Sequence, residues 1–181
     1  MNSSMNLSNT LTLFRIALLI PMGWLMQKDY NLAATGILIM AAISDGLDGY
    51  FARKLNQVSD FGKVIDPIAD KIFLSVSLYL LVGDPLRQLN PWIASIIVAR
   101  EFFVSGLRSL FASKNVILSA EKTAKWKTAF QFIGIGAFVL KDPLFNFMPS
   151  PILIGKLSFL IAILLSYLSM FHYIKKYLYL K

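Results

Sequence analysis

The 181-residue chain has no cysteine and a single histidine, and only 15% of its residues are charged. These absences exclude a disulfide, a structural zinc site and a Cys–His catalytic pair within one chain, which leaves oxygen ligands for any bound metal. Hydrophobic residues make up 56% of the chain, far more than in an average soluble domain. This composition predicts one integral membrane domain over residues 1–181.

The net charge of +8 does not by itself indicate a nucleic-acid partner. The basic residues alternate with long apolar stretches and do not line one polar surface, so we expect no nucleic-acid binding. Trp24, Trp92 and Trp126 lie near the ends of apolar stretches, where tryptophan is typical of anchoring at the membrane interface.

Six apolar stretches predict an all-α, polytopic membrane protein with six transmembrane helices. They cover approximately 11–27, 31–52, 64–83, 91–112, 126–140 and 151–174. Arg15 and Pro21 interrupt the first stretch, and we expect Arg15 to extend toward the interface. No small-residue cleavage pattern follows, which argues against a removed signal peptide.

Basic residues are unevenly divided between the two sets of connections. The connections at 53–63 and 113–127 and the tail after 174 contain Arg53, Lys54, Lys63, Lys114, Lys122, Lys125, Lys127, Lys175, Lys176 and Lys181. The opposite connections contain mainly Lys28, Arg87 and Lys141. By the positive-inside rule, both termini and any polar cavity beside the first set face the cytoplasm. The chain is therefore predicted to be a multi-pass protein of the cell membrane.

Four aspartates occupy paired helical spacings in the segment DGLDGYFARKLNQVSDFGKVIDPIAD, residues 45–70. Asp45 and Asp48 are three residues apart and Asp66 and Asp70 are four apart, so each pair shares one helix face. Carboxylates beside apolar spans repel each other and resist desolvation, so four of them indicate bound cations. The expected cation is a hard divalent ion such as Mg²⁺ or Mn²⁺.

Small residues and one arginine accompany these aspartates. Gly49 directly follows Asp48, and Gly62 lies one turn before Asp66, where the missing side chains permit close approach of backbone or ligand. Arg53, one turn after Gly49, is a candidate anion binder. Carboxylates, a hard cation and a guanidinium together suit a pyrophosphate, so the segment predicts metal-assisted transfer at phosphorus.

The same segment resembles the signature of the CDP-alcohol phosphatidyltransferases, D(x2)DG(x2)AR(x8)G(x3)D(x3)D. Every fixed position matches, namely Asp45, Asp48, Gly49, Ala52, Arg53, Gly62, Asp66 and Asp70. The resemblance implies six spans, a cavity open to the cytoplasm and a homodimer in a bacterial cytoplasmic membrane. It also implies that Asp45, Asp48 and Asp66 hold two Mg²⁺ or Mn²⁺ ions with help from Asp70, which is also the general base.

The resemblance further implies where the donor, CDP-diacylglycerol, binds. The residues that it places there are Asn9, Thr12, Gly49, Ala52, Arg53, Ser59 and Gly62. Asn9 and Thr12 belong to the stretch Asn-Thr-Leu-Thr, which looks like the nucleotide-contacting sequence of the family. A helix N-cap at Ser8 or Asn9 explains that stretch equally well.

A second polar group lies in the fourth predicted span, in AREFFVSGLR at 99–108. Glu101, Ser105 and Arg108 fall at i, i+4 and i+7 and form one polar stripe, whereas the neighbours Arg100 and Glu101 are not expected to face each other. With nearby lysines, Arg108 suits a phosphorylated acceptor. A structural ion pair between helices is the alternative role for the stripe.

The stretch AREFFVSGLRSLFA followed by EKTAKWKTAFQ is similar to the bacterial phosphatidylglycerophosphate synthases of that family. This similarity implies that Arg108, Lys125 and Lys127 contact the phosphate of glycerol 3-phosphate. It implies a Mg²⁺-dependent phosphotransferase of phospholipid biosynthesis that transfers the phosphatidyl group of CDP-diacylglycerol to that acceptor, giving phosphatidylglycerol phosphate and CMP.

Other functions remain open at this point. Family members with inositol phosphate, serine or phosphatidylglycerol as acceptor are the alternatives within the enzyme class. A small cation transporter is the alternative outside it, because intramembrane aspartates are also typical of ion pathways. An inactive, scaffold-like relative is a third possibility, against which the intact set of acidic positions argues.

Overall fold

A computed structural model describes residues 7–54, 60–113, 122–144 and 149–179, and every regular element within these ranges is a helix. The prediction of an all-α protein is confirmed for this part of the chain. The α-helices are α1 (Leu7–Ala17), α2 (Leu19–Gln27), α3 (Asn31–Lys54), α4 (Asp60–Val82), α5 (Pro91–Ser113), α6 (Lys122–Leu140) and α7 (Pro151–Tyr179). A 3₁₀ turn, Pro85–Arg87, separates α4 from α5.

The second to sixth predicted spans correspond to α3 to α7, whereas the first contains two helices, α1 and α2. Pro21 explains the break between them, because it has no N–H to donate to the carbonyl of Ala17. Hydrogen bonds of helical spacing still cross the break. The N–H of Leu18 donates to the carbonyl of Phe14 at 3.0 Å, and that of Met22 donates to the carbonyl of Leu18 at 3.1 Å.

Two stretches of the described chain are long and apolar enough to cross a membrane, Asn9–Gln27 and Pro151–Lys175. A third apolar helical stretch, Asn31–Gly46, is shorter. Large apolar side chains also face outward, and those of Ile20 and Trp92 are 78% and 76% exposed. An apolar outer surface of this extent is typical of a protein surrounded by lipid. The fold is thus consistent with a membrane protein, and the count of six spans stays a prediction.

Helices α6 and α7 pack closely because each has a glycine opposite a phenylalanine of the other. A Cβ atom at Gly134 would lie 2.5 Å from the ring of Phe159, and one at Gly155 would lie 2.6 Å from the ring of Phe138. Both rings are fully buried, and they stack with centroids 5.5 Å apart. The two glycines therefore set the distance between the helices.

We expect Gly134→Ala to destabilise the protein by about 1–3 kcal/mol, because the buried ring of Phe159 has no space into which to move. Thermal unfolding of the purified protein in detergent measures the effect as a lower Tm. Gly36→Ala is the matched control, since a Cβ there meets nothing within 4 Å. Equal Tm values for the two variants would contradict the assigned packing.

Arg87 joins three helix connections at one end of the bundle. Its guanidinium donates to the carbonyl of Phe138 at 2.8 Å, in the last turn of α6, and to Oδ1 of Asn31 at 2.7 Å, at the start of α3. Carbonyls in the last turn of a helix lack helical partners, so a cation stabilises them. Lys141 contacts Asp29 across 3.3 Å at the same end. The three connections with few basic residues therefore lie together.

Candidate active site

A cavity of about 710 Å³ lies toward the other end of the bundle, and residues of α1 and α3 to α7 line it. On α3, Asp45 is 14 residues from Asn31, a distance of about 21 Å along the helix. The polar lining forms two groups. The aspartate side contains Arg15, Asp45, Asp66 and Asp70, and the basic side contains Arg100, Glu101, Ser105, Arg108, Lys127 and Gln131.

The structure brings three of the four predicted aspartates to this cavity. Asp45 comes from α3, and Asp66 and Asp70 come from successive turns of α4, as their spacing of four residues predicts. The side chains of Asp45 and Asp70 are 38% and 60% exposed, so a solute in the cavity has access to both.

Arg15 lies between Asp45 and Asp70, and its side chain is only 2% exposed. Its Nη1 atom donates to Oδ1 of Asp45 and, at 2.6 Å, to Oδ1 of Asp70. The expectation that Arg15 extends toward the interface is therefore wrong, because two carboxylates compensate its charge inside the bundle. Asn9, Thr12 and Arg15 recur every third residue and are all buried. This polar stripe on an apolar helix is the sequence signal that Arg15 faces the inside of the bundle.

Thr12 contacts the aspartate side from behind the cavity lining. Its Oγ1 atom donates to Oδ1 of Asp66 at 2.8 Å. Helix α1 already begins at Leu7, so the alternative of an N-cap at Ser8 or Asn9 is wrong. Asn9, Thr12 and Gly62 are buried and do not line the cavity. Their predicted contacts with the donor stay predictions.

The remaining predicted residues of the donor and metal sites lie outside the described part of the structure. For Asp48, Gly49, Ala52 and Arg53 this applies to the side chains, while α3 includes their backbone. Ser59 lies between two described ranges. Their roles stay predictions.

The donor atoms of the aspartate side fit a hard divalent cation. Carboxylate oxygens are the ligands that Mg²⁺ and Mn²⁺ prefer, and Asp45, Asp66 and Asp70 supply them to one cavity. Within the described ranges, no three acidic groups stand close enough to form a metal site as they are. Arg15 and Thr12 contact these carboxylates instead.

Glu101 is the centre of the basic side. Its Oε1 atom accepts hydrogen bonds from Nζ of Lys127 at 2.6 Å, Nε2 of Gln131 at 3.2 Å and Nη1 of Arg100 at 3.3 Å. The expectation that Arg100 and Glu101 do not face each other is wrong, because their long side chains meet although their Cβ atoms diverge. The ion pair between helices, predicted as an alternative, is present between Glu101 on α5 and Lys127 on α6.

Two arginines connect this side of the cavity to α7. Arg100 is buried and donates from Nη2 to the carbonyl of Ser166 at 2.8 Å. Arg108 donates to the hydroxyl of Tyr173 at 2.8 Å, and its guanidinium carbon lies 5.4 Å from the centre of that ring. No functional role was predicted for Arg100, and the signal for one was its charge inside an apolar span.

The three residues predicted to contact the acceptor phosphate do not all reach the cavity. Arg108 and Lys127 line it, and Lys127 is nearly buried against Glu101. Lys125 is exposed and is not part of the lining. The structure therefore brings two of the three together.

Comparison with known proteins agrees with these features. A family model described as CDP-alcohol phosphatidyltransferase matches residues 5–172. A CDP-diacylglycerol--glycerol-3-phosphate 3-phosphatidyltransferase of Bacillus subtilis is 36% identical over an alignment that covers 94% of both chains. A protein of the same name from Pseudomonas fluorescens is 34% identical over an alignment that covers 94% of this chain and 89% of the relative. One from Wigglesworthia glossinidia brevipalpis is also 34% identical and covers 93% of each chain.

The match includes both sides of the cavity and nearly all of the described helices. The signature aspartates that line the cavity lie within it as well. The chain therefore belongs to the CDP-alcohol phosphatidyltransferase family.

Proposed function

We propose that this protein transfers the phosphatidyl group of CDP-diacylglycerol to glycerol 3-phosphate, giving phosphatidylglycerol phosphate and CMP. The observation that carries the proposal is one cavity with signature aspartates on one side and, on the other, the buried Arg100 and Lys127 and the exposed Arg108. The names of the relatives support this choice of donor and acceptor.

Asp70 is the general base of the proposed reaction. The oxygen of an acceptor hydroxyl attacks the phosphatidyl phosphorus, its proton passes to a carboxylate oxygen of Asp70, and the bond from phosphorus to the bridging oxygen breaks to release CMP. Arg15 holds Asp45 and Asp70 in place from within the bundle. Asp45, Asp48, Asp66 and Asp70 would hold the Mg²⁺ or Mn²⁺ ions, whose chemistry is to polarise the pyrophosphate and stabilise the leaving CMP.

The charges on the basic side favour a phosphorylated acceptor. Arg108 and Lys127 line the cavity together with Arg100, while Glu101 supplies one negative charge among them. An excess of positive charge suits a phosphate ester better than an uncharged acceptor such as serine. Among phosphorylated acceptors, the relatives' names favour glycerol 3-phosphate over inositol phosphate.

The proposal includes a six-span arrangement in a bacterial cytoplasmic membrane, with the cavity open to the cytoplasm. The outward apolar side chains support a lipid surround, and the uneven division of basic connections supports this orientation. Such a position suits a lipid donor that arrives from the bilayer and a polar acceptor that arrives from water. We also expect a homodimer, as the family resemblance implies.

An acceptor panel tests the proposal. Purified protein is given CDP-diacylglycerol with glycerol 3-phosphate, inositol phosphate, serine or phosphatidylglycerol, in Mg²⁺ or in EDTA, and CMP is measured. We expect CMP release with glycerol 3-phosphate in Mg²⁺ and none in EDTA. Release with another acceptor instead would reassign the acceptor, and ion flux through vesicles without any CMP release would favour a transporter.

Replacing Arg108 by Gln is expected to raise the KM for glycerol 3-phosphate by about 10-fold or more, because a charge-assisted hydrogen bond to phosphate is lost. Steady-state kinetics at saturating CDP-diacylglycerol measures this effect. For Lys125→Gln we expect a much smaller change, since that side chain does not line the cavity. Equal increases in KM for the two variants would contradict this assignment.

A further inference from the structure

We infer that Glu101 accepts a hydrogen bond from the second hydroxyl group of the acceptor, and thereby selects phosphorylated diols over phosphate esters that carry only the attacking hydroxyl. This inference rests on the proposed function and adds a specificity-determining residue to it. The acceptor class that it names is a short phosphorylated polyol.

Glu101 is an acidic residue among the basic residues of this side of the cavity. Among the described residues on the basic side, it is the single acidic one, its side chain is 16% exposed, and the other charged residues of that side attract anions. A carboxylate there opposes the binding of a phosphate ester. Lys127 and Arg100 offset the negative charge of Glu101. Glu101 therefore acts on a ligand mainly through short-range hydrogen bonds and not through long-range repulsion.

The hydrogen bonds of Glu101 are unevenly divided between its two oxygens. Lys127, Gln131 and Arg100 all donate to Oε1, and no described residue donates to Oε2. Each carboxylate oxygen accepts about two hydrogen bonds, and Oε2 is not among the fully buried polar atoms of the described chain that lack a partner, so a solute in the cavity can reach it. A ligand hydroxyl in the cavity supplies a donor to Oε2.

The spacing along α5 fits a small ligand that is held at both ends. Glu101 and Arg108 belong to one polar stripe and are seven residues apart, about 10.5 Å along the axis, and both long side chains reach into the cavity between them. With its phosphate at Arg108, a three-carbon polyol extends along the stripe toward Glu101. Asp70 approaches the same cavity from α4.

Each hydroxyl of the acceptor then has its own carboxylate. The attacking hydroxyl loses its proton to Asp70, whereas the second hydroxyl keeps its proton and donates it in a hydrogen bond to Glu101. No bond is made or broken at Glu101, so its contribution is one of recognition. An acceptor without the second hydroxyl cannot make this hydrogen bond to the carboxylate of Glu101, which lowers its binding in the transition state relative to glycerol 3-phosphate.

The experiment compares two acceptors in two proteins. Glycerol 3-phosphate and 3-hydroxypropyl phosphate share the phosphate and the terminal hydroxyl, and the second compound lacks the middle hydroxyl. For the unaltered protein we expect kcat/KM for CMP release to favour glycerol 3-phosphate by about 10- to 100-fold. In Glu101→Gln we expect this ratio to fall to about 3-fold or less, with the KM for CDP-diacylglycerol unchanged.

The ratio separates recognition from a structural role. If Glu101 only held Lys127 in place, the variant would lose activity with both acceptors equally and keep the ratio, which would overturn the inference. Asp142→Asn, a charge removal in the connection between α6 and α7, is the matched control and should keep both rates. Melting curves of Glu101→Gln and of Glu101→Asp show which variant is folded.

If neither variant folds, the comparison of the two acceptors in the unaltered protein still tests the inference. Equal kcat/KM for the two acceptors in that protein would overturn it outright. This result differs from failure of the proposed function, in which neither acceptor releases CMP.

Discussion

Asp70→Asn is expected to lower kcat for CMP release by about 10²- to 10⁴-fold, the range for loss of a general base. Asparagine has nearly the shape of aspartate, yet its amide does not accept the proton of the attacking hydroxyl. The carboxylate of Asp70 lines the cavity and is 60% exposed, so the substituted group still meets the substrate. Initial rates with saturating CDP-diacylglycerol and glycerol 3-phosphate measure the loss.

Two further variants are measured beside Asp70→Asn, one at a second signature aspartate and one as the control. Asp66→Asn removes another aspartate from the same face of α4 and should also lower the rate strongly, through its predicted metal-binding role. Asp142→Asn removes an exposed carboxylate that does not line the cavity, so it should leave the rate unchanged. Activity that survives in both Asp66→Asn and Asp70→Asn would contradict the assigned roles.

The second large effect is expected for Arg15→Met, which removes the cation shared by Asp45 and Asp70. Breaking a buried ion pair from one side costs about 3–5 kcal/mol, and partial exposure of the two aspartates lowers our expectation to about 1–3 kcal/mol. A lower Tm in EDTA measures this cost. We expect the difference from the unaltered protein to shrink in Mg²⁺, because a divalent ion supplies positive charge to the same carboxylates.

Arg15→Lys is the matched variant for this prediction. It keeps one positive charge but has a single terminal nitrogen in place of the guanidinium. Its Tm in EDTA should therefore lie between that of the unaltered protein and that of Arg15→Met. If Arg15→Met melted at the same temperature as the unaltered protein in EDTA, Arg15 would not compensate the two aspartates.

Much of the fold follows from the sequence because each helix has a local signal. The apolar stretches predict α3 to α7 within about one turn at most ends, since length and composition are properties of each segment alone. The same holds for the spacing of Asp66 and Asp70 on α4, and for the stripe of Glu101, Ser105 and Arg108 that lines the cavity. These features depend only on helical periodicity.

The features that the sequence analysis missed depend on contacts between distant segments. Arg15 and Asp70 are 55 positions apart, so nothing in the periodicity of α1 indicates that α4 compensates the arginine. Arg100 likewise meets Ser166 on α7, 66 positions away. Lys125 and Lys127 are two residues apart and lie on different helix faces, which explains why only Lys127 reaches the cavity.

In the proposed reaction, this chain joins the phosphatidyl group of CDP-diacylglycerol to glycerol 3-phosphate. The most direct test of this reaction is mass spectrometry of the lipid formed by purified protein in lipid nanodiscs with both substrates and Mg²⁺, together with CMP in the same sample. We predict phosphatidylglycerol phosphate and CMP in equal amounts. CMP without that lipid, or neither product from folded protein, would contradict the account.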